Sequence, residues 1–90
     1  MKITYDPGKR ERTLVQRQLD FDRFCEILSG RYFTLRDERA PYGEDRFITV
    51  GLLDGRMVVT VWTERDGAIR VISMRKANER EQKRFGYRLG

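Results

Sequence analysis

The stretch Thr63-Glu64-Arg65-Asp66-Gly67-Ala68-Ile69-Arg70-Val71-Ile72-Ser73-Met74-Arg75-Lys76-Ala77-Asn78 decides how this chain folds. Asp66-Gly67 is a hairpin-turn pair between two β-rich runs. Asn78, followed three residues later by Glu81, has the form of a capping box, so a helix starts near Glu79. The stretch therefore reads as strand end, tight turn, strand and helix start. Arg65, Arg70, Arg75 and Lys76 stand along it with Glu64, all on short rigid elements. A site for an anion would be built this way, and the solvated face of a charged protein shows the same concentration.

Outward on the N-terminal side, Met57 to Thr63 is the most apolar run and predicts a central strand. Asp54-Gly55 turns it back onto Arg46 to Leu52, where Ile48, Val50 and Leu52 face one way and Phe47 and Thr49 the other. A polar loop with Pro41 and Gly43 leads back to a first strand over Tyr32 to Asp37. Ahead of it, Asp20 caps a core helix that carries Phe21, Phe24, Cys25 and Leu28 on one stripe, with Gly30 as a left-handed terminator. Asp6-Pro7 starts an earlier, mostly solvated helix, because Asp6 can accept from first-turn N–H groups and Pro7 suits the first helical position. Lys2 to Tyr5 reads as an edge strand leading into it. Outward on the other side, Phe85 and Leu89 lie four apart and pack inward from the last helix, leaving Arg80, Lys83, Arg84 and Arg88 outside. The predicted class is α+β: N-terminal helices and a C-terminal helix on a four-stranded antiparallel meander, as a single domain over 1–90.

With 90 residues there is room for one small core. Hydrophobic residues at 39% and charged residues at 37% fit a globular protein with a densely charged exterior. The net charge of +5 invites a polyanion, and it is concentrated at the ends. Residues 1–18 hold five cations against two carboxylates, residues 73–90 six against two, and the middle is mildly acidic. Two such termini packed side by side would make one basic face. Cys25 is the only cysteine, so an internal disulfide and a thiolate zinc cluster are excluded, which points to a reducing, cytoplasmic setting. No apolar run approaches the ~20 residues of a spanning helix, and no signal-peptide pattern opens the chain.

Histidine is absent, which removes imidazole acid–base chemistry, His-based triads and His-ligated metals together. Cys25 on its apolar stripe consequently reads as a small buried hydrophobe rather than a nucleophile. There is no paired-carboxylate motif, no glycine-rich phosphate loop and no cluster of metal ligands, so neither a metal nor a cofactor is expected. One reaction stays open. RNA carries its own nucleophile in the 2′-hydroxyl, so a protein need only supply geometry and charge. Arg70, emerging mid-strand among apolar neighbours, would pair with a carboxylate such as Glu64 or line a cleft and hold a phosphate, the plainer alternative being a stem laid over the sheet with its head in water.

The residues also resemble the BrnT family of toxins from bacterial type II toxin–antitoxin systems, nearly end to end. The similarity runs through Gly43-Glu44-Asp45-Arg46-Phe47-Ile48, Gly51-Leu52, Thr63-Glu64-Arg65 and Ile69 to Glu81, close to the family's TERG, IRIISARKA and following RE pattern. Tyr5-Asp6-Pro7-Gly8-Lys9 resembles its WDPxK start. The resemblance implies a RelE-like fold, ribonuclease activity that halts translation, and neutralisation by a BrnA antitoxin with a ribbon–helix–helix DNA-binding part. It further implies promoter DNA as a target of the toxin–antitoxin complex. Many relatives carry Asn-Leu-x-Lys-His-Gly at the end of the first helix. Here Thr13-Leu14-Val15-Gln16-Arg17-Gln18 stands in its place, with Arg17 at the histidine position.

The leading expectation is a metal-independent endoribonuclease toxin. Arg70, Arg75 and Lys76 would hold and stabilise the scissile phosphate, and Glu64 would act as base or orient an arginine. Arg46, Arg65, Arg80, Lys83, Arg84 and Arg17 would bind RNA. The competing expectation is a basic RNA- or partner-binding module without catalysis, and a plainer one is a folded domain with merely solvated charges.

Overall fold

Two Asp-Gly pairs shape the sheet. Asp54 and Gly55 take φ of 53° and 75°, and Asp66 and Gly67 take 54° and 74°. Positive φ at both central residues is what a two-residue hairpin with right-handed strand twist requires, and short Asp and Gly tolerate it. The computed structural model describes residues 2–90. Its elements are β1 (Ile3–Thr4), α1 (Pro7–Arg17), a 3-10 turn (Phe21–Arg23), α2 (Phe24–Leu28), β2 (Tyr32–Arg36), β3 (Arg46–Leu53), β4 (Arg56–Arg65), β5 (Ala68–Lys76) and α3 (Glu79–Leu89). The single-domain reading of 1–90 includes Met1, which lies outside the described residues.

The class is α+β as expected, but the sheet is larger and mixed. Its order is β1-β5-β4-β3-β2, with β4 central. The four-strand expectation fails because Ile3 and Thr4 join the sheet, parallel to β5 and opposite Ile69 and Arg70. The remaining neighbours are antiparallel. Two residues of β1 shield only the start of the β5 edge. Beyond it α1 packs against β5, although none of its residues is buried. An amphipathic helix laid along an open edge protects unpaired backbone without entering the core. Arg17 completes the cover by donating from Nη1 to the Met74 carbonyl at 3.0 Å.

Both faces of the sheet are covered. On one, Phe21, Phe24, Ile27, Leu53, Val58, Val71 and Met74 form a core under the 3-10 turn and α2. On the other, Phe33, Val50, Met57 and Val59 meet Leu89 and Phe85 of α3. Each large apolar side chain so buried contributes about 1.5–3 kcal/mol. Gly51 on β3 lets the first layer close: a Cβ there would stand 2.5 Å from Ile27 Cγ2.

Several local expectations change. Asp20 caps a 3-10 turn, with α2 following, and the buried stripe is Phe21, Phe24 and Ile27. Cys25 is only half-buried. Gly30 does not take the left-handed conformation; that role falls to Gln18 at the end of α1, with φ 59°. Strict alternation along β5 fails too. Val61 faces Ser73 while Trp62 faces Val71, so Ile72 is bulged out. After the bulge the faces exchange, and Met74 joins Val71 in one core instead of opposing it. Finally, α1 packs on β5 whereas α3 packs over β2 and β3, so the two basic ends are carried by different parts of the sheet.

Candidate functional site

The bulge in β5 is where the cations gather. A groove of about 170 Å³ runs between α1 and β5, lined by Lys9, Arg12, Thr13, Gln16, Arg17, Ile72 and Ser73. Helical spacing puts Lys9, Thr13 and Gln16 on one face of α1, with Arg12 and Arg17 flanking it. The hydrogen bond from Arg17 to the Met74 carbonyl fixes that helix end against the strand. Ser73 also lines a second groove, on the α3 side, together with Arg75. Ser73 is the residue the two hollows share.

Arg70 pairs across the sheet with Thr63 and lies opposite Thr4 of β1. It is half-buried and has no ion-pair partner among the described residues. Its charge and that of Arg12 both lie near Asp6, whose carboxyl is held below its ordinary pKa, first by the Lys9 and Gly8 backbone N–H groups it caps. Lys9, Arg12, Arg17 and Arg70 form a cationic strip along the β5 edge. Lys9 and Arg12 join the site only in the folded chain. Their helical spacing with Arg17 was the available signal, but nothing in the chain showed that α1 would lie against β5.

Arg75 is differently held. Its Nη1 and Nη2 donate to the two carboxylate oxygens of Glu81 at 2.7 and 2.8 Å. Glu81 is also the third residue of α3, and it accepts from Asn78 N while Asn78 Oδ1 accepts from Glu81 N. The capping box predicted from sequence thus doubles as the anchor of Arg75. Arg75 and the Asn78 N–H push the Glu81 pKa from the ordinary 4.5 down to about 2, and the pairing raises that of Arg75.

The other predicted residues lie elsewhere. Glu64 is exposed and opposite Ile69. Neighbouring strand residues point to opposite faces, so it does not share a face with Arg70, and the two form no ion pair. Arg46 and Arg65 both bind Glu44, at 3.2 and 2.9 Å, and Arg46 also stacks over the Tyr42 ring at 4.1 Å. These contacts hold the carboxyl of Glu44 below its ordinary pKa, Arg65 contributing first. Lys76 lines a separate hollow with Arg56, Met57 and Gln82. Arg80 and Lys83 are exposed on α3, and Arg84 lies over Phe85.

The loop between β2 and β3 carries a further pair that the sequence did not reveal. Asp37 is buried, and Arg39 donates to it from Nε and Nη2 at 2.7 Å each. That pairing, above all, lowers the Asp37 pKa from 3.8 to about 2. Among the described residues no three Asp, Glu or Cys side chains are grouped so as to hold a metal ion, and no helix is long and apolar enough to cross a membrane.

The fold and the strip together define a small α+β protein with a cationic edge. Residues 5–81 match the family model described as the ribonuclease toxin BrnT of type II toxin–antitoxin systems, and the chain belongs to that family. It is thus a ribonuclease toxin, with RNA as substrate and an antitoxin as partner. Among curated proteins nothing matches the chain.

Proposed function

We propose that this toxin is a metal-independent endoribonuclease of RelE-like fold that inhibits translation, acting as one domain over 1–90 in the cytoplasm. Its antitoxin would be BrnA-type, with a ribbon–helix–helix part through which the complex reaches promoter DNA. The observation that carries the reading is Ser73, which lines both the groove bearing Lys9, Arg12 and Arg17 and the groove bearing Arg75.

An RNA strand tracked by Lys9, Arg12 and Arg70 brings one phosphate to Ser73, between Arg17 and Arg75. The 2′-hydroxyl attacks phosphorus, the bond to the 5′-oxygen breaks, and a 2′,3′-cyclic phosphate and a 5′-hydroxyl form. The guanidiniums stabilise the extra negative charge of the pentacovalent state, the largest contribution such a site can make. Glu81 fixes the plane of Arg75 so that its remaining N–H groups are aimed before substrate arrives. Glu81 stays a carboxylate above about pH 2 and is doubly engaged, so it is a weak proton acceptor. The 2′-hydroxyl proton therefore passes to solvent hydroxide and the leaving oxygen takes one from water. Arg80, Lys83 and Arg84 steer RNA from α3, Lys76 from the end of β5, and Arg46 and Arg65 from the start of β3 and the end of β4. Glu64 lies with this steering group and has no direct part at the phosphate.

The test is incubation of the purified chain with labelled RNA in chelator. Discrete fragments ending in cyclic phosphate, lost in folded Arg70→Ala and Arg75→Ala variants, support the proposal. Binding that leaves RNA intact would favour the non-catalytic module, and cleavage only on adding a divalent ion would remove metal independence.

A further inference from the structure

The groove on the α3 side of Ser73 has a composition that phosphate binding alone does not explain. Its volume is about 240 Å³, and its walls are Leu35, Ile48, Val50, Val59, Val61 and Phe85. Arg39 and Arg75, on two different segments, line it too, together with Ser73 and Glu81. Each is held by its own carboxylate, Arg39 by buried Asp37 and Arg75 by Glu81. Two guanidiniums near one another repel, and Arg39 does act against the charge of Arg75. Such a pair is stable where a carboxylate backs each, and it leaves forward N–H groups for an anion: two of the five donors of Arg75 are committed to Glu81. An apolar slot with an aromatic wall and two guanidiniums on its lining is complementary to a flat ring carrying a phosphate.

We infer that the groove between α3 and the sheet takes one unstacked nucleobase of the RNA, seated against Phe85, with its phosphate at Arg39 and Arg75. The inference rests on the ribonuclease reading above and adds where the strand goes after the cleaved bond. Ser73, shared by this groove and the one along α1, is where a strand lying on the α1 strip would reach it. Phe85 is held by its tilted contact with Phe33, ring centres 5.2 Å apart, and by Arg84 over the ring, and a base meets the part of it that lines the groove. Leu35 is 42% exposed and can close over a base from the β2 side. Base selectivity of the toxin then depends on this slot, and affinity on the strip.

The experiment uses wild-type chain and a set of short RNAs, each lacking one base near the cleaved bond but keeping the backbone. The expected result is a single position at which base removal lowers kcat/KM about tenfold or more. Phe85→Ala should lose a similar factor on intact RNA and become indifferent to base removal at that position, while Phe85→Trp keeps the dependence. Leu35→Ser, at an exposed position that does not threaten folding, should weaken it. Wild-type enzyme that cleaves every base-deleted RNA equally well overturns the inference and leaves the ribonuclease reading standing. No cleavage of any RNA defeats both. A Phe85→Ala protein that keeps its base dependence but escapes its antitoxin would instead give the groove to the partner protein.

Discussion

Arg75 shows how one side chain ties stability to chemistry. Its partner Glu81 has a folded-state pKa of about 2 against an ordinary 4.5. A depressed carboxylate pKa contributes stability that is complete above the ordinary value and is lost as pH falls through the folded one. Wild-type protein should therefore melt higher than Glu81→Gln at neutral pH, and the gap in Tm should narrow as pH drops from about 4.5 towards about 2. Thermal melts of both proteins across that window check it; a gap independent of pH would remove the ion pair as its source. Catalysis should respond to pH in another way. With no histidine in the chain and the proton passing to solvent, the cleavage rate should climb with pH instead of tracing a bell. Arg75→Ala should cost on the order of 3–4 kcal/mol in the barrier, a hundredfold or more. Glu64→Gln should change kcat/KM by less than about threefold, consistent with loss of one exposed charge. A bell-shaped profile whose acidic limb disappears in Glu64→Gln would restore that carboxylate as the base.

At the scale of elements, the hairpins, the cap at Asp6 and the capping box at Asn78 were legible because each is a local rule acting over a few residues. Two features were not. The bulge at Ile72 breaks a period-two pattern with an apolar residue that fits either face, so nothing in the letters marks it. The parallel pairing of Ile3 with Ile69 joins residues from opposite ends of the chain. The site suffers from both: the sequence offers Arg70 and Arg75 as candidate anion-binding side chains, but their faces and their partner helix depend on the bulge and on where α1 lies. Gly51 was an ordinary strand letter in the sequence, and it became a constraint only once Ile27 was placed over it. Gly51→Ala should destabilise the protein by about 1–3 kcal/mol through that clash. Chemical denaturation measures the loss, and Ile27→Leu in the Gly51→Ala background should recover part of it, because leucine lacks the γ2 methyl that meets the new Cβ. Simple additivity of the two substitutions would count against the contact.

For the whole molecule, the decisive property is that charge is unevenly neutralised. Arg10, Arg23, Arg36, Arg39, Arg46, Arg65 and Arg75 are matched by carboxylates of the same chain. Lys9, Arg12, Arg17 and Arg70 lie along one sheet edge without such partners among the described residues, and Arg80, Lys83, Arg84 and Arg88 lie likewise on α3, so the net charge of +5 is expressed chiefly on two basic surfaces. A strip of this kind releases counterions when single-stranded RNA binds, and log K falls with log salt at about −0.7 per phosphate neutralised. If the four cations of the sheet edge each meet a phosphate, they contribute roughly −2.8 to that slope. Arg12→Ala should then weaken RNA binding at low salt for every sequence alike and make the slope shallower by about 0.7. Leu35→Ser, in the base groove, should leave the slope unchanged while altering preference among sequences. Binding isotherms for the two variants over a range of salt separate the strip from the groove. Equal slopes in wild type and Arg12→Ala would mean that α1 faces solvent and that RNA approaches from α3.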